Sequence, residues 1–375
     1  MTAPTPAISI PPSLLPADGR FCSGPSKVRP EAVEALAKVS STYLGTSHRQ
    51  AGVRFMVAAL RNGLAELLSL PDGYEVVLGN GGTTAFWDAA SFGLIEQRSQ
   101  HLSFGEFSSK FAKVAAAAPH LGDPQVITAE PGTAPVAVAA SDVDAYCLTH
   151  NETSTGVVTE VIRPEGADGL VLVDATSAAG GVRFDPTQAD AYYFAPQKGL
   201  ASEGGLWLAA LSPAAVERVE RLSADRWTPA FLDLQLAVDN SRKDQTYNTP
   251  ALATIFLAQQ QVEWINENGG LPWSAARCER SAEIMYGWAE ASEYATPFVT
   301  DAARRSPVVA TIDLDDSIPA LTVSAVLRDN GVVDTESYRK LGRNQLRIAL
   351  FPAIDPADVE ALTRCIDHVV ERLDG

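Results

Sequence analysis

Two short runs in this 375-residue chain place reactive side chains just past apolar segments. LVLVD (170–174) closes on Asp174, and DAYYF (190–194) is followed by Ala195, Pro196, Gln197, Lys198 and Gly199. The carboxyl end of a strand in a parallel sheet is where ligands bind, and an acid held there out of water needs a partner. A lysine in a Pro/Gly-framed turn past a buried strand is restricted in where its amine can point. A third piece is GNGGTTAFWDAA (79–90), where Gly79, Gly81, Gly82, Thr83 and Thr84 link a strand-like run to a helix. Free N–H groups, two hydroxyls and the helix dipole can meet a phosphate there. Taken singly, Asp174 also reads as a helix cap or a surface acid, Lys198 as a loop lysine and the glycines as an ordinary strand-to-helix turn. Together, in the order phosphate turn, acid, lysine, they supply what pyridoxal phosphate needs. The amine forms a Schiff base with the cofactor, and the carboxylate keeps the pyridine nitrogen protonated.

The elements that must position these residues are legible from periodicity. Val53, Met56, Val57, Leu60, Leu64, Leu67 and Leu68 fall at helical spacing, which predicts a helix over 53–70 stopped by Pro71. From there apolar runs alternate with helical stretches. YEVVLGN (74–80) precedes a helix over 83–95, HLSF (101–104) precedes one over 106–118, and further runs follow at 144–150, 170–174, 190–194 and 205–211. Runs apolar on both faces and separated by helices predict an α/β architecture with a mostly parallel sheet covered by helices. After Pro250 longer helical patterns appear, then strand-like runs at 308–312 and 346–350, a helix over 323–329 and a last helix from Asp355. This divides the chain into an extended, proline-broken arm (1–20), a large α/β domain (21–267) and a smaller α+β domain (268–375), the first part of the large span being free to pack on the small one.

Composition narrows the partners. A hydrophobic fraction of 46% with 20% charged residues is that of an ordinary globular enzyme, and the length allows two lobes. The formal net charge of −17 would repel nucleic acid and anionic membrane surfaces, so the expected partner is a small molecule. If that molecule is anionic, a local arginine cluster must overcome the global field. Cys22, Cys147, Cys278 and Cys365 form no Cys-x-x-Cys pair and have no histidine at zinc spacing, so no metal site is expected and the thiols read as reduced, in the cytoplasm. The N-terminus lacks the pattern of a secretory signal, and no apolar stretch reaches membrane-spanning length.

The segments FCSGPSKVRPEAV (21–33), GTSHRQAG (45–52), HNETSTGV (150–157), VDATSAAGG (173–181), YYFAPQKG (192–199) and YNTPA (247–251) resemble the phosphoserine aminotransferases, actinobacterial-type members of the class-V, fold-type-I pyridoxal-phosphate enzymes. The resemblance runs over almost the whole chain. It implies that Lys198 is the Schiff-base lysine and proton shuttle, that Asp174 pairs with the pyridinium nitrogen, and that Thr153 bonds the ring's 3-oxygen. Gly82, Thr83 and Gln197 would hold the phosphate, and Asn248 and Thr249 would reach the phosphate of a neighbouring subunit's cofactor, in a homodimer with shared active sites. Phe107 of GEFSSKF stands where much of the family stacks a tryptophan on the ring.

The implied substrates are phosphoserine, glutamate, 2-oxoglutarate and 3-phosphohydroxypyruvate. Each presents two separated anionic groups, which arginines suit. Arg347 is the candidate for the α-carboxylate, His48 and Arg49 for the side-chain phosphate, and Arg339 of SYRKLGR is a further phosphate candidate in a segment that departs from the more common His-Arg version. Without the resemblance, Arg347 reads as a structural ion pair and His48 as a loop histidine. Other readings of the whole are an alanine–glyoxylate or serine–pyruvate aminotransferase, which would not need the His48–Arg49 pair, and a binding protein that keeps the fold without chemistry, which the presence of both Lys198 and Asp174 disfavours. A cysteine desulfurase would need a cysteine in a mobile loop motif, and none is evident.

Overall fold

Val171, Leu172 and Val173 are completely buried, as are Ala191 and Tyr193 on the neighbouring strand. Burying one such apolar side chain contributes about 1.5–3 kcal/mol relative to leaving it in water, which drives these runs to the middle of a sheet covered on both faces. The computed structural model describes residues 6–373. Helices α1 (Pro30–Tyr43) and α2 (Ala51–Leu67) lead into strand β1 (Glu75–Asn80). Then α3 (Gly82–Gly93), β2 (Ser99–Ser103), α4 (Glu106–Ala117) and β3 (Gln125–Thr128) alternate. β4 (Ala145–Thr149) runs into a small hairpin of β5 (Asn151–Glu152) and β6 (Val157–Val158). β7 (Leu170–Asp174), β8 (Ala191–Phe194) and β9 (Leu206–Leu211) complete the sheet, followed by α5 (Pro213–Asp225), α6 (Leu234–Ser241) and α7 (Leu252–Glu267).

Among the described residues the main sheet has seven strands in the order β1-β9-β8-β7-β4-β2-β3. Every pair from β8 through β3 is parallel, whereas β9 is antiparallel to both β8 and β1. The mostly parallel α/β sheet read from the sequence is therefore present, with one reversal. Its reason is local: the loop from β8 to β9 carries Lys198 and contains no helix, and a parallel return needs a crossover of a dozen or more residues.

The rest of the chain forms α8 (Gly270–Ala291), β10 (Ala295–Pro297), β11 (Val309–Leu314), α9 (Ala320–Asp329), β12 (Gln345–Ala349) and α10 (Pro356–Leu373). The three strands pair antiparallel in the order β10-β11-β12. The arm, of which residues 1–5 lie outside the described residues, packs along this C-terminal part. Ile10 donates its N–H to Asn330 Oδ1 at 2.8 Å, and Ala17 to Asp358 Oδ1 at 2.8 Å. Phe21 then bonds Val333 and Ala349 through its backbone, so the chain leaves the small sheet there and turns toward the main one.

Some boundaries differ from the periodicity. α2 ends at Leu67 rather than at Leu70, because Ser69 adopts φ 50°, the left-handed conformation that terminates helices, before Pro71 is reached. α5 and α6 carry start signals that the apolar pattern does not show: Ser212 Oγ accepts from the N–H of Ala215, and Asp233 from those of Gln235 and Leu236. Strand β3 lies at the sheet edge with alternating exposure, a weak signal over four residues. No helix among the described residues is long and apolar enough to cross a membrane.

Candidate active site

β7 and β8 are adjacent and parallel, so Asp174 and the turn after Phe194 emerge at the same edge of the sheet. They open into a cavity of about 430 Å³ whose walls include Thr83, Trp87, Phe107, Thr153, Asp174, Gln197 and Lys198. Asp174 is only 6% exposed. Its Oδ1 accepts from the N–H of Thr176 at 2.9 Å and its hydroxyl at 2.5 Å, and its Oδ2 accepts from Trp87 Nε1 at 3.1 Å. Burial pushes the Asp174 pKa upward and these hydrogen bonds pull it part of the way back. Among the described residues no cation forms an ion pair with it, so a ring N–H⁺ in the cavity is the group this carboxylate lacks.

Lys198 is 9% exposed, and its Nζ donates to the carbonyl of Ser23. Burial, with the nearby Arg347 guanidinium, lowers its pKa from 10.5 to about 8. The amine is thus much closer to its neutral, nucleophilic form than a surface lysine. The segment around Gly24 exists to meet it: a Cβ at Gly24 would lie 2.3 Å from Lys198 Nζ. Ser26 adds a hydroxyl bond to the Lys198 carbonyl at 2.6 Å and a backbone bond to that of Gln197 at 2.9 Å.

The glycine turn forms the strand-to-helix link that its composition implies. Gly81 and Gly82 take φ 107° and 69°, and α3 begins there with Thr83 and Thr84 on the cavity wall. Gly82 itself sits at the helix start beside open space. Gln197, on the wall of the same cavity, has its Oε1 buried without a partner among the described residues. Thr153 projects from the hairpin turn, its hydroxyl 2.8 Å from Ser177 Oγ. Gly156, at φ 70°, closes that turn against β11, where a Cβ would meet Thr311 Oγ1 at 2.6 Å. Phe107, in the first turn of α4, lines the cavity, with Lys198 Nζ 6.0 Å from its ring centroid.

Arg347 on β12 is largely buried, and its Nη1 donates to the Thr153 carbonyl at 3.4 Å. Its Nε has no partner, and among the described residues no carboxylate lies within ion-pair reach of it. A structural ion pair is therefore not what holds it there. Five other sequence candidates stand outside the cavity wall of their own chain. His48, Asn248 and Thr249 gather with Asn80: Asn80 Nδ2 donates to Asn248 Oδ1, and Thr249 Oγ1 is 3.4 Å from His48 Nδ1. Arg49 next to them is exposed, and Arg339 opens an exposed 3-10 turn.

Sequence reasoning missed Trp87 and Thr176, which fix Asp174, and Ser177, which fixes Thr153. A signal existed for the first two. Trp87 is four residues beyond Thr83 on one helix face, and Thr176 two residues past Asp174 is an Asx-turn position. It also missed Tyr338, whose ring lies 5.9 Å from that of Phe107 and under the Arg347 guanidinium at 5.3 Å.

The glycine turn, the buried acid at one strand end and the lysine past the next fit pyridoxal phosphate. The aminotransferase class-V family matches residues 21–335, which makes this chain a class-V aminotransferase. A phosphoserine aminotransferase of a Nocardioides species is 62% identical over 373 residues, covering 98% of this chain and 100% of that protein. One from Rhodococcus jostii is 61% identical over 366 residues, covering 97% and 98%. The chain belongs to the phosphoserine aminotransferase family. Among solved structures, a phosphoserine aminotransferase from Cytophaga hutchinsonii shares the fold with a TM-score of 0.87 at 24% identity, covering 93% of this chain and 99% of that one.

Proposed function

We propose that this chain catalyses the reversible transfer of the amino group of L-glutamate to 3-phosphohydroxypyruvate, giving O-phospho-L-serine and 2-oxoglutarate, a step of serine biosynthesis. The observation that carries the amino-acid part is Arg347: a guanidinium beside the reactive lysine, largely buried, with an unpartnered Nε. It suits an α-carboxylate, which every donor and acceptor of this reaction presents.

Bound pyridoxal phosphate supplies the electron sink for the substrate carbanion. Lys198 anchors it and, with its amine near neutrality, takes and returns the proton at the substrate Cα. Asp174, held in place by Trp87 and Thr176, keeps a proton on the ring nitrogen. Phe107 would offer the ring an apolar contact, and Thr153 would offer it a hydroxyl to hydrogen-bond. Arg347 would hold the substrate's α-carboxylate on the Lys198 side of the cavity.

The phosphate part of the reading rests on His48 and Arg49, and with them on a homodimer. In one chain Asn248, Thr249, His48 and Arg49 form no part of the cavity. Exposed aromatic residues lie in the same region: Phe231 adjoins Gly81 and Tyr247 precedes Asn248. Apolar surface of this kind supports a second copy that brings His48 and Arg49 to its partner's substrate and Asn248 and Thr249 to its partner's phosphate. The four cysteines are unpaired, in keeping with a cytoplasmic location.

Two results are expected. Arg49→Ala lowers kcat/KM for phosphoserine by roughly one to two orders of magnitude, mostly through KM, since a charge-assisted contact is worth about 1.5–3 kcal/mol. Arg347→Ala impairs all amino donors alike. A panel of phosphoserine, glutamate, serine and alanine checks both, and equal losses for phosphoserine and alanine in Arg49→Ala, or a wild type that prefers alanine, would leave only a generic aminotransferase. For the dimer, light scattering should give twice the chain mass, and mixing inactive Lys198→Ala with inactive Thr249→Ala should restore part of the activity. A fully active monomer contradicts the shared site.

A further inference from the structure

Glu152 is completely buried, yet no lysine or arginine forms an ion pair with it among the described residues. Its carboxylate instead joins two separate walls of the cavity. On one side Oε2 accepts from the backbone N–H of Phe107 at 3.1 Å and of Ser108 at 2.8 Å, in the first turn of α4. On the other, Oε1 accepts from the N–H of Ser154 at 3.2 Å and from its hydroxyl at 2.7 Å. Ser154 directly follows Thr153. The approach is close enough to require a glycine before α4: a Cβ at Gly105 would fall 2.3 Å from Glu152 Cγ. The helix N-terminus supplies favourable dipole for the negative charge, and all the groups facing the carboxylate donate.

We infer that Glu152 is a positioning residue that holds the Phe107 ring and the Thr153 hydroxyl at one fixed separation, and through them sets how tightly and in what orientation the cofactor ring is held. This rests on the cofactor reading above. Glu152 does not face the cavity, so its influence passes through the two residues that do.

Glu152→Gln keeps the volume but has one acceptor where the carboxylate has two. Whichever way the amide turns, its NH₂ group meets donors on one side and that link is cut. Removing a hydrogen bond of this charged kind through a rigid contact should weaken cofactor retention by about tenfold or more. The measurement is cofactor release from the diluted holoenzyme, followed by recovery of tryptophan fluorescence, with Trp87 in the cavity wall as the reporter, together with the visible circular dichroism of the bound cofactor. The same is done in a Phe107→Ala background, where the effect of Glu152→Gln should shrink by at least half, because one of the residues it acts through is gone. If Glu152→Gln lowers only the thermal midpoint and leaves release and dichroism unchanged, or if its effect on release is the same with and without Phe107, the inference is overturned. Should Glu152→Gln not fold, Ser154→Ala, which removes the hydroxyl link to Glu152 together with the bond that Ser154 Oγ accepts from the Glu106 N–H, must still speed release by a few-fold or more; unchanged release overturns the inference too. A wild type that holds no cofactor would instead sink the functional reading itself.

Discussion

Lys198→Ala is expected to retain the fold and lose transamination by at least about 10⁴-fold, since positioned proton transfer alone supplies up to that factor and the covalent anchor is lost with it. Circular dichroism checks the fold, and a stopped-flow half-reaction with phosphoserine checks the chemistry. Near-wild-type turnover would remove Lys198 from the mechanism. Stability behaves differently from activity here. The folded-state pKa of Lys198 is lowered from 10.5 to about 8, so between those values the unfolded chain binds more protons than the folded one. Stability therefore rises with pH across that window, and below it the buried charge is a penalty with a ceiling of about 3 kcal/mol. Lys198→Met, which keeps the bulk and removes the charge, should make the cofactor-free protein more stable at pH 7, with the gain fading as pH rises from 8 to 10.5. Denaturant melts at several pH values read this directly, and a gain that grows with pH would contradict the assignment.

The second large effect is expected at Asp174. Asp174→Asn should lower kcat by roughly 10²–10³-fold, the scale of losing one preorganised electrostatic partner of developing charge. Asparagine cannot hold a proton on the ring nitrogen. It also sets an NH₂ group against either the Trp87 N–H or the two donors of Thr176, so the side chain loses the bonds that fix its position. KM for phosphoserine should change far less than kcat, because Arg347 and the phosphate contacts are untouched. A variant that keeps kcat and loses only KM would show that the carboxylate serves binding rather than the ring.

The alternation of apolar runs and helices, and with it the parallel sheet, follows from the amino-acid sequence, because the runs are apolar on both faces and only a doubly covered sheet accommodates that. The chemical trio was equally legible. Asp174, Lys198 and the Gly81–Gly82 turn each sit at the end of a run, and strand ends in such a sheet gather at one edge. Arg347 was recognisable as a candidate by type and by resemblance alone; that it is no structural ion pair became clear only from its surroundings, where no acid among the described residues lies within reach of its guanidinium. The residues that support the trio were not legible in the same way. Ser177, Glu152 and Tyr338 act through contacts with residues 24 to 231 positions away, and no local period marks such a contact. The same holds for Gly24 and Gly105, whose lack of a side chain is required by Lys198 and Glu152. Sequence thus determined the elements and the reactive groups, since both depend on local residue type and spacing. Tertiary structure decided the protonation of Lys198, the environment of Asp174 and the unpaired state of Arg347, since each is set by how much water is excluded and by which distant groups replace it.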